Sequence, residues 1–140
     1  MDHVDPTRER FAAFRALESD GPIHMLNLVR LRERAVYADG REVSGAEAYA
    51  AYGRESRAVF ERVGGRQVWI GVPEFMLIGP EAEAWDIAFI AEYPTADAFV
   101  EMLRDPVYRE AVVHRTAGVA DSRLLRLRPG TPGPGFGEAG

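Results

Sequence analysis

The sequence predicts an α+β domain built on one sheet, covered by helices on one side and by a partner on the other. Three observations predict it. Strand-like apolar runs are interleaved with well-capped helical stretches. Their core order is strand, helix, strand, strand, helix, strand. The strand runs carry apolar residues at both alternating sets of positions, so neither sheet face is plainly left for water.

Asp5-Pro6 reads as a helix start, Asp as N-cap and Pro at the first helical position, and Phe11, Phe14 and Leu17 form its apolar stripe until Gly21-Pro22. Ile23 to Leu31 reads as a strand. Asp39-Gly40, flanked by Val36-Tyr37 and Val43, has the chemistry of a tight turn in a small ribbon or ordered loop over 35–43. Ser44-Gly45-Ala46-Glu47 is a capping box, and Tyr49, Tyr52, Ser56, Val59, Phe60 and Val63 follow at helical spacing until Gly64-Gly65. Gln67 to Ile78 is expected as one long strand bent at Pro73, and Trp85 to Tyr93 as the next. Thr95 caps a helix that turns Phe99, Met102 and Leu103 inward. Asp105-Pro106 restarts it, with Tyr108, Ala111, Val112, Arg115 and Val119 on the following stripe. Arg123 to Arg128 is the last strand, and the Gly- and Pro-rich tail is too poor in apolar residues to order itself. The expected organisation is a helical extension over 1–21, a folded unit over 22–129 and a disordered tail over 130–140.

This order is that of a ferredoxin-like βαββαβ sheet with an extra N-terminal helix. Both helices of such a sheet lie on one face, yet Leu26 and Leu28, Trp69, and Ala88 and Ile90 carry apolar character to the other. Burying side chains of this kind is worth roughly 1.5–3 kcal/mol each. A homodimer in which two sheets close into an α+β barrel is therefore expected.

Composition narrows the chemistry. With 46% hydrophobic and 28% charged residues over 140 positions, one soluble domain is expected, and no apolar run approaches the roughly 20 residues of a membrane span. The opening segment has no secretory pattern, and the compartment is read as cytoplasmic. Absence of cysteine removes disulfides, thiolate nucleophiles and thiolate metal sites. All 17 basic residues are arginine, which removes Schiff-base chemistry and leaves proton transfer to His, Asp, Glu or Tyr. A net charge of -5 argues against a nucleic-acid partner, and the clusters Arg30, Arg32, Arg34 and Arg123, Arg126, Arg128 read as solvated strand ends.

Met25-Leu26-Asn27-Leu28, Tyr49 with Tyr52-Gly53, Val63-Gly64-Gly65, Leu77-Ile78-Gly79, Trp85-Asp86, Tyr93-Pro94, Asp105-Pro106 with Tyr108, and His114-Arg115 with Asp121-Ser122-Arg123-Leu124 together resemble the bacterial domain-of-unknown-function family 1330. The resemblance covers about residues 22 to 129 and implies a ferredoxin-like protomer of the dimeric α+β barrel superfamily. It implies no established reaction. The wider superfamily is similar in fold to cofactor-independent oxygenases, isomerases, haem-degrading enzymes and stress-response proteins, among which fold cannot choose.

Five side chains are the candidates for a site. Asn27, in the middle of an apolar strand, either orients a substrate carbonyl or a water or bonds a neighbouring loop. His114 on the last helix is either a base working near neutral pH or a capping or core residue. Tyr52 and Trp69 are the expected pocket lining, and Arg115 is either an oxyanion contact or half of a structural ion pair with Asp121. The three histidines show no ligand spacing, so no metal is expected, and no cofactor is required. The resulting expectation is a pocket for a small apolar cyclic or carbonyl compound with oxygenase- or isomerase-type chemistry, or else a non-enzymatic binding or stress-associated module.

Overall fold

Four side-chain caps set the helices. In the computed structural model, which describes residues 2–18 and 20–140, Thr7 accepts from the Arg10 N–H at 3.0 Å and opens α1 (Arg8–Ala16). Ser44 accepts from the Glu47 N–H at 3.0 Å and opens α2 (Gly45–Arg62). Thr95 accepts from Ala98 at 3.0 Å at the head of α3 (Ala96–Arg104). Asp105 accepts from Val107 at 2.7 Å, ahead of Pro106 at the first position of α4 (Pro106–Gly118). Each cap meets a backbone donor that the first helical turn leaves free.

Between them run β1 (Ile23–Leu31), β2 (Arg66–Gly71), β3 (Ile87–Tyr93) and β4 (Val119–Leu127). They form one antiparallel sheet in the order β2-β3-β1-β4. With both central strands flanked and all helices on one face, the protomer is a ferredoxin-like α+β fold carrying an extra N-terminal helix. The sheet is open, so a single chain closes no barrel.

Register divides the sheet into two faces. Ile23 pairs with Tyr93 and Met25 with Ala91, and these four pack with Val59, Val63, Phe99, Met102 and Tyr108 from the helices. Phe14 of α1 meets Phe99 edge-on at 5.4 Å and extends that core. On the opposite face a single row crosses all four strands: Leu125, Leu26, Ile90 and Trp69.

Several boundaries differ from the sequence reading, among them the start of β3, at Ile87 and not Trp85. The first helix is capped by Thr7, not Asp5, because Asp5 is drawn toward Arg115 and Thr116. β2 ends at Gly71, where its ladder with β3 runs out at Ala88, and Pro73 has no N–H with which to extend it. The expected continuation to Ile78 is instead a loop, with Phe75 85% and Ile78 90% exposed. β4 begins at Val119, four residues early, because α4 passes into it without a connecting loop. In the tail, Thr131 and Gly140 exchange backbone hydrogen bonds of 3.1 and 2.7 Å around an exposed turn.

Candidate functional site

The loop 35–43 is closed by the Ala35 N–H donating to Val43 at 2.9 Å and folded at Gly40, whose φ of 73° suits glycine. Its Val36 N–H donates to the Ala117 carbonyl at 2.9 Å, which fastens the loop against the end of α4. Tyr37 is thereby carried to His114. The Tyr37 hydroxyl lies 2.6 Å from His114 Nδ1, with the rings 5.6 Å apart and nearly perpendicular. On the other side of the imidazole, Glu55 of α2 lies 2.9 Å from Nε2.

In a neutral imidazole these contacts favour one tautomer. A carboxylate can only accept, so Nε2 carries the proton toward Glu55 and Nδ1 accepts the phenolic proton of Tyr37. The Arg41 guanidinium stands 4.3 Å over the Tyr37 ring in a cation–π contact. Arg41 is itself held by Asp39 at 2.7 Å, and the Arg41 hydrogen bonds pull the Asp39 carboxyl down to about 2. Tyr37, Arg41, Val43, Ala48, Arg54 and His114 line a cleft of about 310 Å³ beside this chain of groups. A second cleft of about 470 Å³ lies between the α1–β1 turn and the end of β4, with Arg126 and Arg128 on its wall.

The other expected site residues are distributed elsewhere. Asn27 faces the helices on β1 and donates its amide to the Met25 carbonyl of its own strand at 3.1 Å. Tyr52 meets Tyr108 hydroxyl to hydroxyl at 2.8 Å. Trp69 stands on the opposite face of the sheet from Tyr52, 49% exposed, as its pairing with Ile90 requires. Arg115, next to His114 on α4, turns to the Val4 carbonyl and to Ser122. Of the five, only His114 lines the cleft beside Tyr37. Tyr37 and Glu55 escaped the sequence reading. A tyrosine beside a tight turn and a glutamate on an exposed helix face carry no signal until the fold sets them at His114. Among the described residues no group of three His, Asp or Glu side chains is placed to hold a metal ion.

The family model for domain of unknown function 1330 matches residues 38–126, well over half of the chain. The chain belongs to the DUF1330 family. This DUF1330 chain is 67% identical to a Rhodopseudomonas palustris protein of unknown function, over 94% of this chain and all of that one, with a TM-score of 0.91. A cofactor-independent oxygenase from Streptomyces nogalater aligns at TM-score 0.52 and 16% identity, over 83% of this DUF1330 chain and 100% of its own. An Agrobacterium tumefaciens protein aligns at 0.50 and 14%, over 80% of this chain and 97% of its own. The last two share the fold. No curated protein matches, and no helix among the described residues is long and apolar enough to cross a membrane.

Proposed function

We propose that this DUF1330 chain is a proton-transfer catalyst for a small enolisable carbonyl compound bound in the cleft beside Tyr37 and His114. The observation that carries it is the unbroken line from Glu55 through both nitrogens of His114 to the Tyr37 hydroxyl. Tyr37 is the member that reaches the substrate. As its oxygen takes a proton from carbon, it passes its own to His114 Nδ1, and the Glu55 carboxylate stabilises the imidazolium that forms. Returning the proton to a different carbon completes an isomerisation in which nothing is oxidised and no metal is consumed. Asn27, Tyr52 and Trp69 have no part in this cleft; their expected roles would require a second ligand region between sheet and helices.

The test follows exchange of carbon-bound protons with deuterated water by NMR, across quinones, phenols, lactones and keto acids. Tyr37→Phe and His114→Gln are expected to lower exchange of the preferred compound by at least roughly 100-fold, the usual range for losing a positioned acid–base group. Exchange that survives both substitutions sinks the assignment. Oxygen uptake in place of exchange would move the chemistry to the oxygenase class.

A non-enzymatic module is the second reading, favoured by one observation: both imidazole nitrogens are already engaged, as they are when a histidine only braces a loop. Binding without exchange would select it. In either reading the working form is a cytoplasmic homodimer closed over the row Leu125, Leu26, Ile90 and Trp69, with 22–129 as the folded unit.

A further inference from the structure

The wall that α2 gives to the cleft beside Tyr37 and His114 is a helical stripe: Glu47, Ala50, Ala51 and Arg54 all line it. Positions three, four and seven apart share one side of a helix, and seven residues span about 10.5 Å along its axis. Two methyl groups therefore separate a carboxylate at one end of this wall from a guanidinium at the other. Arg54 directly precedes Glu55, whose carboxylate lies 2.9 Å from His114 Nε2. Along α2, the positive end of the wall is the one next to the residue that holds His114.

The charges lining the cleft are not equivalent. Arg41 gives Nε and Nη2 to the two carboxylate oxygens of Asp39 at 2.7 to 3.1 Å, so its charge is met within its own loop. The Glu47 carboxylate accepts from the Ser44 hydroxyl at 3.2 Å beside the helix cap. Arg54 makes no hydrogen bond or ion pair with any described residue. An exposed arginine without a partner is ordinary on a helix surface, but this one stands on the wall of a concave space, next to alanines that leave room for a ligand. Its planar fork of donors suits a carboxylate. Glu47 on the same wall opposes a second negative charge, so the anion that fits carries one.

We propose that Arg54 selects the substrate of this cleft by binding the carboxylate of a short-chain oxo acid, which leaves the enolisable carbon to Tyr37. The chemistry of this substrate rests on the proton-transfer reading above, whereas the carboxylate contact stands on the cleft wall alone. The carboxylate is held and not consumed. The C–H bond beside the ketone breaks, its proton goes to the Tyr37 oxygen as the phenolic proton passes to His114, and the electron pair stays on the substrate as an enolate. A cleft of about 310 Å³ is at the small end of ligand pockets and suits a chain of few carbons better than a fused ring system.

The test uses pyruvate and levulinate, each beside its methyl ester, which keeps the ketone and the carbon chain and removes the charge. Exchange of the protons beside the ketone with deuterated water is followed by NMR, and binding of the acids by calorimetry, on the full-length protein. Wild type is expected to favour the better acid over its ester in kcat/KM by at least roughly tenfold, the scale of a hydrogen bond to a charged group. Arg54→Gln is expected to abolish that preference by raising KM for the acid, and to weaken acid binding by a similar factor. Arg54→Lys is expected to recover part of both. Tyr37→Phe is expected to lose exchange of acid and ester alike while the acid still binds. Equal rates for acid and ester in the wild type, acid binding that Arg54→Gln leaves intact, or no saturable binding of either acid overturns the proposal. Acid binding that depends on Arg54 with no exchange of either acid removes the proton-transfer reading and upholds Arg54 as the carboxylate contact.

Discussion

The hydroxyls of Tyr52 and Tyr108 meet at 2.8 Å across the seam between α2 and α4. Burial pushes both phenols above their ordinary range, so the pair stays protonated through neutral and mildly alkaline pH. Removing one hydroxyl strands the other where water cannot replace it. Tyr52→Phe and Tyr108→Phe are each expected to cost about 1–3 kcal/mol of stability. The double variant is expected to cost less than the sum, because nothing is then left unpaired. Urea denaturation of the four proteins measures the coupling.

Two glycines of α2 have opposite roles. A Cβ on Gly45 would lie 2.0 Å from the Arg32 carbonyl oxygen, and that oxygen belongs to backbone that cannot step aside. A Cβ on Gly53 would meet nothing within 4 Å. Gly45→Ala is expected to destabilise by about 3 kcal/mol or more, as overpacking against fixed backbone does. Gly53→Ala is expected to stabilise by roughly 0.5–1 kcal/mol, since it relieves the entropy cost of a glycine in a helix interior. Thermal unfolding of the two variants reads both signs directly.

Acid should loosen the sheet from its charged end and its edge. Hydrogen bonds from His24 and then Arg66 hold the Glu92 carboxyl below its ordinary value. Burial would raise Asp121, but the His3 N–H, Arg123 and the Ser122 N–H outweigh it and lower it instead. A carboxylate whose folded pKa lies below its unfolded one contributes stability above the unfolded value and loses it as pH falls through the folded value. Denaturation midpoints are therefore expected to hold near neutrality and fall from about pH 5 downward. Glu92→Gln should start lower at neutral pH and decline less steeply, and an unchanged slope would show that this carboxylate is not one of those responsible.

Much of this architecture is legible in the chain because its signals are local. Ser44, Thr95 and Asp105-Pro106 each start a helix at the residue where a cap belongs, and β1 occupies the whole span from Ile23 to Leu31. Legibility ends where a segment's state depends on a neighbour. Val72 to Ile78 reads as strand by composition, yet the ladder with β3 ends at Gly71 and Ala88, one residue from the start of β3, and Pro73 has no N–H to extend it. The same limit holds for the site. His114 could be singled out by its chemistry, but its partners stand 77 and 59 positions earlier and are ordinary residues until a loop and a helix bring them together. Tyr52 and Trp69 share aromatic character in sequence and lie on opposite faces of the sheet, because the shift in β2 between Gln67 and Trp69 decides which side the indole takes.

That indole is one end of the row that most clearly asks for a partner. Leu125, Leu26, Ile90 and Trp69 lie side by side across β4, β1, β3 and β2 on the face without helices. Charged groups bracket the row: His24, Glu92 and Arg66 join on one side of it, and Arg123 pairs with Asp121 on the other. An apolar stripe with a polar rim is the anatomy of an interface core. A two-fold copy would lay the stripe on itself and fill the barrel that one open sheet cannot close. Leu26→Arg sets a charge at the centre of that stripe while leaving the helix-side core untouched. Sedimentation at micromolar concentration is expected to show a dimer for the wild type and a folded monomer for Leu26→Arg. Trp69→Ala should weaken association by about 2 kcal/mol, the loss typical of an aromatic anchor in an interface. A wild-type chain that sediments as a monomer would mean that this face is wet, and the barrel would have to be given up.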